Sequence, residues 1–273
     1  LEIIISDETS FYSKLKTKDK ISIYWNKVYE PDHLKLDKEI EKILEKKNIP
    51  FKFFKGNILN EYQSITKNDG TPFKVFSPFW RNAEQVFLDA VPQKTSDLKK
   101  LKSKKTIFNS KDTFKQIMPK KDWFKKFDQY WKPSEDEAHK NLKEFISNRI
   151  SKYGVDRDYP SINGSSKLSP YIRNGQIHVA AIYEKSSKDI KKNISIRKYI
   201  NELGWREFSH SLINYFPQML KGNLRKEFDR FPWEKNSKNL KAWKQGMTGY
   251  PIVDAGMREL YETGWMHNRI RMV

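Results

Sequence analysis

The run Gly164-Ser165-Ser166-Lys167-Leu168-Ser169-Pro170 gathers hydroxyls, a cation and free amides in one short stretch. Ser169 suits a helix N-cap, with Pro170 at the first helical position. The loop is therefore expected to end at a helix N-terminus, whose partial positive charge favours an anion such as a diphosphate. The same serines could equally satisfy the orphan amides of a helix start with no ligand present. In the stretch Ile196 to Ser209, Tyr199, Leu203, Phe208 and Leu212 mark an inner stripe, while Glu202, Trp205, Arg206 and Ser209 share another face. A carboxylate, an indole and a guanidinium at that spacing can hold a planar base by hydrogen bonding and stacking. They can also be a core Trp beside an ordinary i,i+4 ion pair. A third segment runs through Thr248-Gly249-Tyr250-Pro251-Ile252-Val253-Asp254-Ala255 to Trp265-Met266-His267-Asn268-Arg269, and its Trp265, Asn268, Arg269 and Met272 are expected on one helical face. Asn can bond a base edge and Arg a phosphate, with Met giving soft apolar contact. His267 reads more simply as a packed structural residue than as an acid–base catalyst.

The elements that must position these residues change character along the chain. Lys20 to Trp25 alternates in part like a strand, Leu36 to Lys47 reads as an amphipathic helix, and Phe51-Lys52-Phe53-Phe54 follows the Ile49-Pro50 break as a second strand. That order predicts a parallel α/β layer with a crossover helix. Residues Lys94 to Lys126 hold 12 Lys and no Arg and few periodic apolar positions, so they read as an exposed connection. Pro133-Ser134-Glu135-Asp136 then starts a helix with acids in its first turn, and Ala138, Leu142, Phe145, Ile146, Ile150 and Tyr153 continue a 3.6-residue stripe. The expected layout is an α/β domain over residues 1–95, a linker over 96–130 and a helical domain over 131–273.

Composition narrows the partners. The 273 residues carry 53 Lys+Arg against 34 Asp+Glu, a formal net charge of +19. A surface of that sign suits a polyanion, although a Lys excess can also be plain solvation. Ten of the 11 Arg lie after residue 148, so the second half is the better candidate for bidentate phosphate recognition. Cysteine is absent, which removes disulfides and thiolate chemistry and suits a reducing compartment. The five His show no HxxxH or HExxH spacing, so no protein-held metal is expected. Leu1-Glu2-Ile3-Ile4-Ile5 is too short and too interrupted for a signal peptide or a membrane span. A cytoplasmic monomer is the expectation.

Taken in order, these segments resemble class I DNA photolyases of the photolyase/cryptochrome family. The resemblance rests on Tyr153 ahead of Arg157-Asp158-Tyr159-Pro160, on the Ser165 to Ser169 loop, on Asn201-Glu202-Leu203-Gly204-Trp205-Arg206-Glu207-Phe208, and on the two stretches of the third segment. Residues 20–95 are similar to the family's antenna domain, through Val28-Tyr29-Glu30-Pro31 and Val75-Phe76-Ser77-Pro78-Phe79-Trp80. The resemblance implies a Rossmann-like parallel sheet followed by an all-α FAD-binding domain, both incomplete, because the family's first strand and its later Asp-rich and Asn-Gly-Gly-Trp segments have no counterpart. It implies FAD contacts from Tyr153, Ser165, Ser166, Lys167, Leu168, Ser169, Tyr199, Arg206, Ser209 and Arg271. It implies DNA contacts from Arg157, Glu202, Trp205, Asn268 and Arg269. Glu202 and Trp205 match the pair that receives the extruded pyrimidine dimer, Asn268 and Met272 match positions near it, and Trp233 matches the surface end of an electron-transfer chain. The implied activity is blue-light cleavage of cyclobutane pyrimidine dimers in UV-damaged DNA by a carbon–carbon lyase. A second chromophore, of folate or deazaflavin type, is left unassigned. A cryptochrome-type photoreceptor, a (6-4) photolyase and a flavin-free DNA-binding module are the rival readings.

Overall fold

A computed structural model describes residues 12–13, 21–86 and 118–273. The opening Leu1 to Ile5, and residues 87–117 with most of the Lys-rich connection, lie outside the described residues. The chain divides into two compact units, one of Leu1–Lys120 with Gly204–Leu220, the other of Lys121–Leu203 with Lys221–Val273.

In the first unit, strand β1 (Ile23–Asn26) pairs in parallel with β2 (Phe51–Phe54), Ile23 opposite Phe51 and Asn26 opposite Phe54. Helix α1 (Pro31–Lys46) joins them as the crossover that parallel pairing requires. Pro31 opens it, since a residue that lacks an N–H costs nothing in the first turn. Its buried Ile40 and Leu44 join Ile49 in a small core, against which Ile23, Trp25, Leu36 and Phe51 pack. Helix α2 (Phe76–Val86) buries Phe79, Trp80 and Ala83. A Cβ on Gly204 would sit 2.2 Å from the Trp80 ring, so that position has no room for any side chain. The expected parallel α/β layer with its crossover helix is thus present.

Helices build the second unit. In α3 (Glu135–Asn148), Ser134 caps the N-terminus by accepting from the Glu137 N–H, and Ala138, Leu142 and Phe145 are buried. The helix stops at Asn148, so Ile150 and Tyr153 of the expected stripe lie past its end, although both are buried. Tyr153 instead opens a one-turn helix, α4 (Tyr153–Asp156). Then come α5 (Ser169–Arg173), α6 (Val179–Ser186) and α7 (Ile194–Tyr215), whose residues from Gly204 onward count with the first unit. Helices α8 (Ser237–Gln245), α9 (Pro251–Thr263) and α10 (Asn268–Met272) complete the order.

The domain layout differs from the expected one in two places. The described end of the 96–130 connection is structured: Asp122–Gln129 form a 3-10 helix, Lys126 pairs with Glu262 at 2.9 Å, and the Tyr130 hydroxyl donates to Glu262 at 3.2 Å. Its aromatic residues Trp123, Phe124 and Phe127 give that stretch something to pack, which the lysine count concealed. Residues 204–220, expected in the helical domain, belong to the first unit.

Candidate functional site

The serine loop is fixed from one side by Arg149. Its Nη1 donates to the carbonyls of Asn163 at 3.1 Å and Ser165 at 2.7 Å, while Nη2 pairs with Glu144. Lys167 takes a left-handed backbone with φ +51°, which turns the chain into α5. Ser169 is the first residue of that helix and not its cap; Leu168 holds the cap position and supplies no side-chain bond. Because α5 has only five residues, the anion attraction expected of a helix start is weak, and the loop's own groups must supply it. They border a cavity of about 440 Å³ whose lining includes Ser166, Lys167, Trp131, Asn141 and Trp265. The Tyr199 hydroxyl donates to Ser166 Oγ at 3.2 Å, which leaves the serine proton free to donate onward. A cation, hydroxyls and amides beside a cavity fit the diphosphate of a dinucleotide such as FAD.

Beneath the loop lie three rings. Phe145, Tyr153 and Tyr199 meet with centroids 4.7 to 5.9 Å apart, in tilted and edge-on arrangements. Burial pushes the Tyr199 phenol up to about 12, against a smaller opposite effect of its bond to Ser166. Burial likewise holds the Tyr153 phenol far above its ordinary range, so both rings are neutral donors at any physiological pH.

One turn past Tyr199, Glu202 accepts from Arg157 Nη1 at 2.5 Å. The neighbouring Asp158 is gripped by Arg269, whose Nε and Nη2 lie 2.8 and 2.6 Å from the same carboxylate oxygen. Arg157 Nε stands 3.8 Å from that oxygen. Charges alternate along the row Arg269, Asp158, Arg157, Glu202, all within the second unit. The hydrogen bond from Arg269 holds the Asp158 carboxyl below the usual carboxylate range.

Helix α10 carries Asn268, Arg269 and Met272, the last 71% exposed, and Arg271 is also exposed. Trp265 is not on this helix. It precedes the cap residue His267, and its N–H donates to Thr263 Oγ1 at 3.1 Å. Buried His267 accepts from the Arg269 N–H through Nδ1, so its imidazole is a cap, as the structural reading of it expected. Upstream, buried Asp254 accepts from the Thr248 N–H and hydroxyl at 2.8 and 2.6 Å and from the Gly249 N–H at 2.9 Å. The Thr-Gly-Tyr-Pro turn, with Gly249 at φ +87°, is held shut by that single side chain.

Several expected site residues belong to the first unit. Trp205 is 45% exposed and stacks on Phe76 with centroids 3.8 Å apart and planes 9° apart. Arg206 donates to Glu207 at 2.9 Å, and the Ser209 hydroxyl donates to the Trp205 carbonyl at 2.8 Å. Glu207 also accepts from the Leu59 N–H at 2.8 Å. Burial pushes its carboxyl up to about 7, against the opposing pull of Arg206 and the backbone bonds. Trp233, in the second unit, is 75% exposed, with Phe231 as its ring neighbour at 4.6 Å.

Sequence reasoning gave no role to Asp158, Arg149, Glu207 or Phe76. The adjacency of opposite charges in Arg157-Asp158 and Arg206-Glu207 was the available signal for two of them. For Phe76 the sequence held none, because Trp205 lies far along the chain, and for Arg149 none, because two of its partners are main-chain carbonyls that no residue type marks.

The family described as "FAD binding domain of DNA photolyase" matches residues 199–273, and the one described as "DNA photolyase" matches residues 8–97. A deoxyribodipyrimidine photo-lyase of Agrobacterium fabrum is 34% identical over 258 residues, covering 92% of this chain and 53% of that protein. Cryptochrome-2 of Arabidopsis thaliana is 28% identical over 264 residues, covering 92% of this chain and 43% of that one. The crystal structure of a bacterial class III photolyase from Agrobacterium tumefaciens superposes with a TM-score of 0.85 at 32% identity, over 98% of this chain and 56% of that one. The chain spans about half the length of the relatives it matches.

Proposed function

The chain belongs to the photolyase/cryptochrome family, and we propose that the protein is a deoxyribodipyrimidine photo-lyase, which uses FAD and blue light to split cyclobutane pyrimidine dimers in UV-damaged DNA. The observation that carries this reading is the continuity of α7. Tyr199, bonded to the serine loop, and Glu202, the base-recognising carboxylate, stand three residues apart on one rigid helix. A cofactor phosphate and an extruded base would be referred to the same element.

The chemistry that bound reduced flavin would supply is light-driven electron donation with no net redox change. The chain's part is positional. Ser165, Ser166, Lys167 and Ser169 hold the diphosphate, with Leu168 and Tyr153 packed beneath. Glu202 accepts from a base of the dimer and Trp205 supports its rings, the combination that favours an already weakened, flippable pair. Arg157, Asn268 and Arg269 contact the DNA, and the basic surface grips its backbone without regard to sequence. By the same resemblance Met272 would meet the dimer, and Arg206, Ser209 and Arg271 would each contact the cofactor. Trp233 is a terminal electron-transfer residue.

Among the described residues no helix is long and apolar enough to cross a membrane. We take the protein to be cytoplasmic and monomeric, with any antenna chromophore unassigned. The match to Cryptochrome-2 gives the photoreceptor reading its footing, but Glu202, Trp205 and Met272 together favour repair.

The test is repair of a dimer-containing oligonucleotide under blue light by the full-length, flavin-loaded protein. Glu202→Ala is expected to lower repair per photon at least about ten-fold while flavin content stays near wild type. An inactive wild type that still bleaches in blue light would favour a photoreceptor. Repair of (6-4) photoproducts instead would move the protein to that branch.

A further inference from the structure

The two arginines expected to meet DNA, Arg157 and Arg269, are both already engaged by carboxylates. Asp158 is the residue common to them. One of its oxygens is 2.6 Å from Arg269 Nη2, 2.8 Å from Arg269 Nε and 3.8 Å from Arg157 Nε. The Asp158 and Arg269 side chains are each 46% exposed, so a phosphate could reach them, whereas Arg157 is only 13% exposed and faces Glu202.

We propose that Asp158 is a positioning residue that restrains Arg269 and Arg157 in the free protein and thereby suppresses binding to undamaged DNA. The proposal rests on the photolyase reading of the same site. A guanidinium already paired with a carboxylate releases no counterion when a phosphate approaches, so it adds little to sequence-independent affinity. Against an extruded dimer the balance changes. Glu202 turns to the base, Arg157 loses that partner, and Asp158 remains to hold Arg157 and Arg269 in register beside it. Asp158 therefore weakens the unwanted complex and orders the wanted one, specificity obtained partly by penalising the competitor.

The claim has an unusual sign. A variant that merely damages the fold binds all DNA more weakly, but loss of Asp158 should strengthen binding to the wrong target. The experiment titrates dimer-containing and undamaged duplexes into the full-length, flavin-loaded protein at two salt concentrations. For Asp158→Asn, undamaged duplex should bind about five-fold tighter at low salt, with the slope of log affinity against log salt steeper by about 0.9, one phosphate contact. The ratio of dimer to undamaged affinity should fall about ten-fold, with repair per bound dimer reduced. Asp158→Glu should recover at least half of the lost ratio. Adding Arg269→Gln to Asp158→Asn should abolish the gain on undamaged DNA. Asp189→Asn removes the same charge from an exposed pair with Lys192, 3.2 Å away, and should leave the ratio unchanged. Should Asp158→Asn fail to fold, Asp158→Ser carries the same expectations. Unchanged or weaker binding of undamaged DNA by the folded variant, or an Asp189→Asn effect of equal size, overturns the proposal. A wild type with no preference for the dimer overturns the photolyase reading instead, and a wild type with that preference but no response to Asp158→Asn overturns this inference alone.

Discussion

Up to Leu203, helix α7 offers its polar face to ions and hydroxyls: Glu202 meets Arg157, and Tyr199 meets Ser166. From Gly204 onward it presses rings, with Trp205 on Phe76, Phe208 against Phe79, and Gly204 giving way to Trp80. The two halves differ in what it takes to disturb them. Glu202, a third exposed, can exchange the Arg157 guanidinium for water or a ligand donor without leaving a hole in the packing. A ring stack packed at crystal-like density cannot be opened without leaving a void. Ligand-dependent rearrangement therefore belongs to the first half, and rigidity to the second. The one buried carboxylate of the second half, Glu207, obeys the same rule, since its partners are a backbone N–H and an adjacent arginine that it cannot exchange for solvent.

The largest expected effect tests that rigidity. Gly204→Ala drives a methyl into the Trp80 ring, which has no flexible end to move aside, and should cost about 3 kcal/mol in chemical denaturation. A change below about 1 kcal/mol would show that the ring half yields as easily as the ionic half.

Next comes a pH dependence. The Glu207 carboxyl sits at about 7 when folded, above its unfolded range, so the native state binds the extra proton between the two values. Stability from this group is greatest below the unfolded value and falls as pH rises toward 7, by on the order of 2 kcal/mol. Glu207→Gln should flatten the stability profile between about pH 4.5 and 7, and an unaltered slope would assign the dependence to other groups.

The smallest effect concerns the ionic row. Asp158→Asn should change folding stability by less than about 1 kcal/mol, since both partners of its closest pair are half exposed, even as its effect on DNA discrimination is large. A stability loss comparable to that of Gly204→Ala would erase the contrast between the halves.

Much of the architecture could be read from the sequence because local rules decided it. Phe51 to Phe54 stands as a strand with the bounds expected of it, Ser134 caps its helix, and Tyr199, Leu203 and Phe208 are buried as a 3.6 period requires. Local rules also misplaced Ser169, by one residue, and Trp265, because the backbone turns at His267 before the last helix begins. The ion pairs were half legible. Glu202 and Arg206 sit at the right spacing to pair, yet each found a better partner, Arg157 from 45 residues upstream and the adjacent Glu207. Long-range partnerships such as Phe76 with Trp205 depend on tertiary packing, which no periodicity encodes.

The closure of the Thr248–Asp254 turn carries a lesson for recognition itself. That stretch is among the most recognisable in the chain, yet its acid spends three hydrogen bonds on the backbone and hydroxyl of its own turn. A protein could keep this signature intact after losing every trace of photochemistry, because what the signature protects is the knot in the chain. Surveys that sort distant sequences by it will find shared ancestry, and will need Glu202 and its ionic neighbours to find shared trade.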